Sequence, residues 1–576
     1  MLAVVAGLLL VGTCPAGCGE APRPPPALVP PPLPPEPPPS ATAAPAAAAP
    51  SRPRAHRYAV AAESGTAAKV AMDILARGGS AVDAAIAGVL TSGVTHPVSS
   101  GIGGGGFAVV WDAKTRQIHA LDFRETAPAG LRPSDYWKRS DAKRGVWAGV
   151  PGEVAGLHAL HARWGKLAMA DDVGAAAAVA EGGFPLSAHM ARALKWNEAW
   201  LVKAPRYAFF APGGSLLPVK QTVKNPALAA TLRRIAAEGK AAFYEGAIAE
   251  DILATARDGG SHLTAKDLRD YQVAPRTPLH TAWAGYDVYT MPPEAAGGVL
   301  MLETLHMHDK AELEALGSGS GSYLHVLAET FRGAVSDRVR AIGDPAFVKV
   351  DAEALVAPAR MKARRAQISL TTTRPAERFA LEEGGTTHLV AVDEQGNVAS
   401  ITSTVNNMFG CKLVTRGGFV LNDELDDFTS QALERRFGIR PGRGPNSPRG
   451  GARPASSMTP TIVLERGAPV LALGGSGGMK IATATTQVLL ARLAFGLGTA
   501  EAVRQPRIDT PATGGLTIDP AATPDLVADL VQRGEIVDAT KPNFSAVQAI
   551  ALGEKDGVRF LDPGADPRKG GAALVE

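Results

Sequence analysis

Cysteine is scarce in this chain: only Cys14, Cys18 and Cys411 occur among its 576 residues. Because two of the three lie in the first twenty residues, no disulfide framework is available to the rest of the chain. Its stability must come from packing, and 45% hydrophobic with 20% charged residues is an ordinary composition for a globular protein. The length alone predicts two to four domains.

The sequence also lacks an excess of charge of either sign. It holds 59 Lys and Arg against 56 Asp and Glu, and no basic tract alternates with aromatic residues, so we expect no nucleic-acid partner.

Metal-site motifs are missing as well. His158 and His161 share one apolar helical stretch and His306 and His308 share another, with no HExxH pattern or Cys/His cluster, which favours structural histidines over metal ligands.

Long hydrophobic runs are limited to the span 2–12, which has the length of a signal peptide and is too short to cross a membrane. VGTC, ending at Cys14, is similar to a lipoprotein motif, although Thr13 replaces the usual small residue. We predict a leader over 1–20 and a lipid anchor at Cys14; cleaved secretion and a miscalled start are the alternatives. The expected location is the periplasm or the outer surface.

A linker is predicted over residues 21–57, which are rich in proline and alanine. The stretch 21–40 alone holds twelve prolines. Such a composition favours polyproline II and cannot bury a core. From about residue 58 onward, helical and strand patterns alternate, which predicts a mixed α/β (α+β) globular part.

The segment GGTTHLVAVDEQGNVASITSTVN (384–406) alternates apolar and polar residues on either side of EQGN. This pattern predicts a β-hairpin with Gly396 at positive φ. Counting outward from the turn places Thr386 opposite Thr404, with Asn406 two residues further along the same face. The simpler alternative is an edge strand that is rich in threonine because threonine favours β structure.

Two glycine clusters invite other interpretations. The cluster 101–106 fits GxGxxG, but it neither follows a strand nor opens a helix, which excludes a dinucleotide site. The cluster 474–478 fits GxSxG between a predicted strand and helix. An α/β-hydrolase needs a histidine after this serine, yet His388 is the last histidine of the chain. Backbone N–H groups of that cluster could instead form an oxyanion hole.

Ten segments, in order from about residue 58 to the end, resemble motifs of the γ-glutamyltranspeptidase family. They are SGIGGGGF (100–107), LDFRETAP (121–128), GVPGEVAGL (149–157), MPPEAAGG (291–298), SDR with GDP (336–345), GGTTHLVAVDEQGNVASITSTVN (384–406), LNDELDDF (421–428), RPASSMTPT (453–461), GGSGG (474–478) and ADPRKGGAA (565–573).

This resemblance implies an N-terminal-nucleophile hydrolase with an αββα sandwich, made as a proenzyme that cuts itself between Gly385 and Thr386. The large subunit would be 58–385 and the small catalytic subunit 386–576, held together as a heterodimer. A threonine hydroxyl needs a base beside it, and the freed α-amine has a reference pKa of about 7.7–8.0. Maturation and activation would therefore be one event.

The resemblance also implies roles for individual residues. Thr386 would be the nucleophile, Thr404 its hydrogen-bond partner, and the N–H groups of Gly477 and Gly478 the oxyanion hole. The donor's α-carboxylate and α-ammonium would be bound by two further sets of side chains: Arg124, Ser456 and Ser457 for the carboxylate, and Asn406, Glu424 and Asp427 for the ammonium. No cofactor and no metal are implied.

The implied activity is γ-glutamyl transfer from glutathione or related γ-glutamyl amides to water, amino acids or peptides. A cephalosporin or glutaryl acylase of the same fold is one alternative, and a non-catalytic envelope binding protein is another. The long Gly/Pro/Arg-rich segment 428–455 is expected to be a lid or a floppy insert. Unlike the family pattern it holds no tyrosine; its aromatics are Phe428 and Phe437, and it carries six arginines from Arg435 to Arg453.

Overall fold

The computed structural model describes residues 55–138, 141–373, 385–510, 515–540 and 545–576, with side chains left out at 141–143. The predicted leader, Cys14 and almost all of the predicted linker lie outside these residues. In the part of the chain that is described, no helix combines the length and the apolar character needed to cross a membrane.

Eighteen β-strands occur in the described residues. Their bounds are β1 Ala59–Ala62, β2 Gly105–Asp112, β3 Gln117–Phe123, β4 Phe184–Pro185, β5 Thr222–Val223, β6 Ala274–Arg276, β7 Leu279–Trp283, β8 Tyr286–Thr290, β9 Gly385–Val392, β10 Val398–Asn406, β11 Thr461–Glu465, β12 Ala468–Ser476, β13 Ile508–Asp509, β14 Leu516–Ile518, β15 Val537–Asp538, β16 Ala546–Lys555, β17 Val558–Ala565 and β18 Ala572–Val575.

The same described ranges hold twenty α-helices. These are α1 Gly65–Ala76, α2 Ala81–Thr95, α3 Pro133–Tyr136, α4 Glu153–Trp164, α5 Met169–Gly182, α6 Ala188–Trp196, α7 Glu198–Leu201, α8 Pro226–Glu238, α9 Ala241–Tyr244, α10 Ala247–Asp258, α11 Ala265–Arg269, α12 Ala296–Met307, α13 Lys310–Leu316, α14 Gly321–Ala341, α15 Ala352–Val356, α16 Pro358–Arg365, α17 Gln431–Arg436, α18 Lys480–Leu493, α19 Thr499–Ala502 and α20 Pro524–Gln532.

Two large antiparallel sheets form the centre of the molecule. One has the strand order β18-β1-β9-β10-β2-β3-β6, and the other has the order β17-β16-β12-β11-β8-β7. Their facing sides bury a shared apolar layer that includes Phe107, Val390, Ile462 and Ala472. Helices α1, α2 and α4 pack on the outside of the first sheet, with α5 against α2 and α8 against α5. Helices α12 and α18 pack on the outside of the second sheet, with α14 against α12. The predicted αββα sandwich is confirmed.

The predicted fragments 58–385 and 386–576 both contribute strands to each large sheet. In the first sheet, β1 of the earlier fragment lies between β18 and β9 of the later one. Next to β9 comes β10, also of the later fragment, and then β2, β3 and β6 of the earlier one. In the second sheet, β7 and β8 of the earlier fragment extend four strands of the later one. Separating the fragments would break ladders in both sheets, so a cut between them leaves one packed body.

The predicted hairpin is confirmed as β9 and β10. Val392 pairs with Val398 and Thr386 pairs with Thr404, the register expected from the alternation. Gly396 has a φ of 87°, as its place in the turn requires. The hairpin lies in the middle of the seven-stranded sheet, and every residue of both strands is buried. The alternative of a plain edge strand is therefore wrong.

Helix starts near the site follow ordinary capping chemistry. Ser64 accepts a hydrogen bond from the N–H of Ala67 at the start of α1, and Ser80 forms a capping box with Asp83 at the start of α2. Helix α1 therefore begins directly after β1, and the connecting residues 63 and 64 are buried. This places Glu63 at the end of β1, beside β9.

The two sheets approach most closely where β12 passes β9. At Gly474, an added Cβ would overlap the imidazole ring of His388. Because a buried aromatic ring and a central strand cannot both move away, Gly474→Ala should lower the free energy of unfolding by about 1–3 kcal/mol. Chemical denaturation of the purified protein measures this difference.

Gly174→Ala is the matched control. Gly174 lies inside α5, and an added Cβ there meets no atom within 4 Å. Alanine should be neutral or stabilising by up to about 1 kcal/mol at that position, because it favours helix over glycine. Equal stabilities of the Gly474 and Gly174 variants would contradict the close approach of the sheets.

Candidate active site

Thr386 and Thr404 face each other at the buried end of the hairpin. Their hydroxyl oxygens are 3.3 Å apart. The Thr404 hydroxyl donates to the carbonyl of Gly385 at 2.6 Å, and it accepts a hydrogen bond from the N–H of Asn406 at 2.8 Å. Since Thr404 has only one proton to donate, Thr386 must be the donor between the two hydroxyls. Thr404 therefore orients Thr386 and polarises the carbonyl just before it.

Gly385 is needed here because space is short. An added Cβ would overlap the carbonyl oxygen of Val98 and would lie 3.1 Å from the Cα of Ser99. Its φ is outside the left-handed region, so the need for glycine comes from space and not from the backbone torsion. The missing side chain lets the peptide pack against the loop after α2.

Asn406 departs from the regular alternation that the sequence predicted. The ladder shifts between Thr404 and Asn406, so that Asn406 pairs with Gly385, and the φ of Asn406 is 69°. This β-bulge turns the strand end toward the next loop. The amide of Asn406 donates to the carbonyl of Asp423 at 3.1 Å. Asn406 thus connects the two threonines with the loop that carries Glu424.

A buried lysine in the turn between β17 and β18 contacts the predicted nucleophile. Lys569 Nζ donates to the carbonyl of Thr386 at 3.3 Å and to the hydroxyl of Ser476 at 2.8 Å, and it lies 3.3 Å from Glu63. The Ser476 hydroxyl donates to Glu63. Burial raises the pKa of Glu63, while Lys569 lowers it. Ser476 is therefore a structural link and has no histidine partner, as the sequence predicted.

Sequence reasoning assigned no role to Glu63 or Lys569. Lys569 lies inside ADPRKGGAA, one of the segments that carried the family resemblance, so the motif was available as a signal. Glu63 simply follows a short apolar strand and has no such signal. Both become visible only when β1, the end of β12 and the turn before β18 meet.

Gly477 and Gly478 lie between β12 and α18, with φ values of 126° and 62°. Among the described residues, no group accepts a hydrogen bond from the N–H of either glycine. Helix α18 begins two residues later, so its positive end lies nearby. This arrangement fits the predicted oxyanion hole, and the preceding residue, Ser476, is tied to Thr386 through Lys569.

Arg124 lies at the centre of a second buried group. Its guanidinium donates to Glu424 and, at 2.6 Å, to Asp427. It also donates to the carbonyls of Pro454 at 2.7 Å and Ala455 at 3.1 Å. Arg124 and Glu424 are almost fully buried, whereas 27% of the Asp427 side chain is exposed. The predicted carboxylate partner Arg124 is therefore adjacent to two predicted ammonium partners, Glu424 and Asp427, and it forms ion pairs with both.

Ser456 and Ser457 follow directly on the carbonyls that Arg124 holds. Ser456 accepts a hydrogen bond from the N–H of Met458 at 3.1 Å. The Ser457 hydroxyl accepts one from Arg338 at 2.9 Å and donates to the sulfur of Met479 at 3.2 Å. Sequence reasoning included Arg338 in the SDR segment but gave it no role. All ten predicted site residues thus lie in connected parts of one region.

Two buried carboxyl groups, Glu424 and Glu125, lie beside Arg124, and a third, Glu153, lies beside Glu125. Burial raises the pKa of Glu424 to about 7, opposed by Arg124, and raises that of Glu153 to about 8. The pKa of Glu125 is raised well above its ordinary value by burial and by the neighbouring Glu424. Above about pH 7, Glu424 is therefore ionised, and its carboxylate faces Arg124.

The segment 428–455 is ordered around Glu434, whose carboxylate accepts hydrogen bonds from the N–H groups of Gly442 and Gly444 and from Ser447. At its base, Asn446 donates to the carbonyl of Asp427 at 2.7 Å and accepts from the N–H of Ala455 at 2.9 Å. The segment therefore fixes the spacing between Asp427 and Ser456. The alternative that it is a floppy insert is wrong, because these contacts hold it in one conformation.

The two aromatic residues of this segment do not cover the pocket. Phe428 and Phe437 are each 4% exposed. Phe428 packs edge-on against Tyr136, with ring centroids 6.2 Å apart, and the guanidinium of Arg340 lies over the ring of Phe437. Neither ring can take the place of a gating tyrosine.

Most of the histidines that we predicted to be structural form hydrogen bonds with other protein groups. His306 contacts the carbonyl of Val356, and His308 contacts Thr330 at 2.9 Å. His161 contacts the carbonyl of Leu167 at 2.8 Å. His161 also belongs to a group with Asp83 and Asp172 whose candidate ligand atoms lie within 4.8 Å of one another.

That group is explained by packing. Asp83 accepts hydrogen bonds from the backbone N–H groups of Ser80, Lys166 and Leu167. Burial and the neighbouring Asp83 raise the pKa of Asp172 to about 9, so Asp172 carries a proton at neutral pH. The protonated carboxyl group of Asp172 thus lies beside Asp83, where α2 meets α5.

Relatives of known sequence match nearly the whole chain. The glutathione hydrolase proenzyme of Escherichia coli (strain K12) is 33% identical over 522 residues, which cover 87% of this chain and 89% of that protein. The glutathione hydrolase proenzyme of Bacillus subtilis (strain 168) is 31% identical over 537 residues, covering 88% and 89%.

Solved structures agree with the fold. A cephalosporin acylase from Bacillus halodurans superposes with a TM-score of 0.80 at 25% identity, covering 92% of this chain and 98% of that one. A γ-glutamyltranspeptidase chain from Helicobacter pylori is 32% identical with a TM-score of 0.52, covering 54% of this chain and 92% of its own. The sequence model for gamma-glutamyltranspeptidase matches residues 67–576. The chain belongs to the γ-glutamyltranspeptidase family.

Proposed function

We propose that this protein is a γ-glutamyltransferase and glutathione hydrolase that matures by cutting itself between Gly385 and Thr386. One observation carries the proposal: the hydroxyl of Thr386, the hydroxyl of Thr404 and the carbonyl of Gly385 form one buried contact set. Two relatives with the name glutathione hydrolase proenzyme support a precursor that is processed and acts on glutathione.

Self-cleavage follows from these contacts. The Thr386 oxygen attacks the carbonyl carbon of Gly385, whose oxygen is already polarised by the O–H of Thr404. The peptide nitrogen takes up the proton that the Thr386 hydroxyl loses and leaves as the α-amine of Thr386, and the acyl group passes to the Thr386 oxygen as an ester. Water then hydrolyses the ester, which releases the carboxylate of Gly385 and the free hydroxyl. Each bond broken is matched by one formed.

The new amine then acts as the base for the same hydroxyl. Lys569 lies against the carbonyl of Thr386, and its positive charge disfavours protonation of an amine nearby. The amine thus takes the Thr386 proton when the oxygen attacks the γ-carbonyl of a donor. N–H groups of Gly477 and Gly478 stabilise the oxyanion, each worth about 10²–10³ in rate. Water or an amine acceptor releases the γ-glutamyl group.

The charges of the pocket fit a zwitterionic donor. Arg124 brings one positive charge against Glu424 and Asp427, and buried Arg338 brings a second. The donor's α-carboxylate can pair with the arginines and its α-ammonium with Glu424 and Asp427. The net charge of the pocket is then the same with and without the donor. A glutaryl group brings only the carboxylate, which would leave Glu424 or Asp427 without a cation.

This charge balance favours the γ-glutamyl donor over the acylase alternative, although the structural likeness to the cephalosporin acylase is high. The buried pair of Thr386 and Thr404 also disfavours the second alternative, a non-catalytic envelope binding protein. We further propose that the protein is exported to the periplasm or outer surface and carries a lipid at Cys14. This proposal rests on the sequence of the first 57 residues alone.

Thr386→Ala should abolish maturation because no hydroxyl remains to attack Gly385. The variant should run as one uncut chain on a denaturing gel, whereas the unaltered protein should give two bands. N-terminal sequencing of the smaller band should begin at Thr386. A smaller band that begins elsewhere, or turnover by an intact chain, would contradict the assignment.

Thr404→Val should slow self-cleavage by about 10²-fold or more, because it removes the hydrogen bond to the Gly385 carbonyl while keeping the shape of the side chain. Thr404→Ser keeps the hydroxyl and should cut within about tenfold of the normal rate. The time course of uncut chain, followed from freshly refolded precursor, measures both. Equal rates for the valine and serine variants would exclude this role.

The pH dependence of donor choice should report Glu424. Its pKa is raised to about 7 by burial, so its carboxylate is protonated below that pH and cannot pair with a donor ammonium. The ratio of kcat/KM for γ-glutamyl anilide to that for glutaryl anilide should therefore rise with pH up to about 7. The Thr386 amine affects both donors and cancels in the ratio. Glu424→Gln should flatten the ratio; a flat ratio in the unaltered enzyme would refute this assignment.

A further inference from the structure

Arg338 is a buried guanidinium without a carboxylate partner. It lies in the last turn of α14 and is 9% exposed. Within the described ranges, no Asp or Glu side chain lies within ion-pair distance of it. In this part of the chain its hydrogen-bond acceptors are the hydroxyl of Ser457 at 2.9 Å and the carbonyl of Ala455 at 3.1 Å. Burial lowers its pKa, opposed by the charge of Asp427.

The neighbouring acid on α14 cannot serve as its partner. Asp337 accepts two hydrogen bonds from Arg360 at 2.8 Å and another from Arg364 at 2.8 Å, on the other side of the helix. Arg124, by contrast, is held by two carboxylates. Both guanidinium groups donate to the same carbonyl, that of Ala455. Two cations therefore converge on one loop, and only one of them is neutralised.

A cavity of about 50 Å³ borders Arg338, Ser457 and Met479. This volume is close to that of one or two water molecules and is too small for a donor group. Much of its wall is apolar, including Leu300 and Ala334. The cavity is therefore space behind the serine and is not itself a binding site for the substrate.

The hydroxyl of Ser457 is held by these contacts in a state ready to donate. Arg338 occupies one of its lone pairs, so the proton must point elsewhere, and it points to the sulfur of Met479. A thioether is a weak acceptor. An incoming carboxylate oxygen is a far stronger one, and it would capture this proton without breaking a good hydrogen bond.

We infer that Arg338 is a positioning residue for the donor's α-carboxylate, acting through Ser457 and the carbonyl of Ala455. The inference rests on the proposed function, in which Ser457 binds that carboxylate. Met479 follows directly on Gly477 and Gly478, so the same contacts also connect the carboxylate subsite to the oxyanion turn.

The test uses the mature enzyme and compares Arg338→Met, Arg338→Lys and Arg340→Met. Arg338→Met should raise KM for γ-glutamyl anilide by about 10- to 100-fold, the effect of losing hydrogen bonds from a charged group, with kcat changed less than threefold. Arg338→Lys should recover part of the loss. Arg340 lies on the same helix but contacts Ser336 and the carbonyl of Phe437, so its variant should keep the normal KM.

Self-cleavage provides the readout for folding, since no substrate carboxylate takes part in it. A merely structural role would reduce cleavage and activity together, whereas a positioning role raises KM in fully cleaved enzyme. In a Ser457→Ala background, Arg338→Lys should raise KM by a smaller factor than it does in the unaltered enzyme, because only the contact with the carbonyl of Ala455 is left for Arg338 to act through. A cleaved Arg338→Lys or Arg338→Met enzyme with normal KM would overturn the inference.

The donor pair separates this result from the fate of the proposed function. Glutaryl anilide carries the same terminal carboxylate without the ammonium. If the unaltered enzyme prefers glutaryl anilide, the donor assignment fails, yet Arg338→Met must still raise the KM of that donor. If the enzyme prefers γ-glutamyl anilide and Arg338→Met leaves its KM unchanged, only the role of Arg338 fails.

Discussion

The hydrogen bond from Thr404 to the carbonyl of Gly385 depends on the register of β9 and β10. A shift by one residue would turn Thr386 to the other face of the sheet, away from Thr404. The register is fixed because both strands lie in the middle of a seven-stranded sheet, with helices on one side and the second sheet on the other. The chemistry at one peptide bond therefore depends on the burial of the whole hairpin.

The second constraint is the concentration of charge around Arg124. Burying a guanidinium with two carboxylates requires desolvation of all three, and such pairs add little to stability on balance. Their value here lies in recognition, because a zwitterionic donor can replace partners one for one. Segment 428–455 supports this arrangement by fixing Asp427 and Ala455 through the single side chain of Asn446. The pocket is thus prepared before any ligand arrives.

The sequence predicts those parts of the site that are local in the chain. Alternation in 384–406 is enough to place Thr386 opposite Thr404, and GGSGG between a strand and a helix is enough to place the oxyanion turn. The contacts of Lys569 with Thr386 and of Arg338 with Ser457 join residues that are 183 and 119 positions apart, and no local pattern encodes them. The bulge at Asn406 escapes prediction because it depends on how the strand meets Asp423.

The interleaving of strands explains how a chain can be cut in its central sheet and remain folded. Each predicted fragment supplies strands to both sheets, so the ladders and the apolar layer between them persist when the bond before Thr386 is broken. The proposed cut would change the site only locally: an amide nitrogen, which is not basic, would become an amine beside Lys569 and the two hydroxyls. In the proposed mechanism the fold therefore holds Thr386 in place beforehand, and cleavage adds only the missing base.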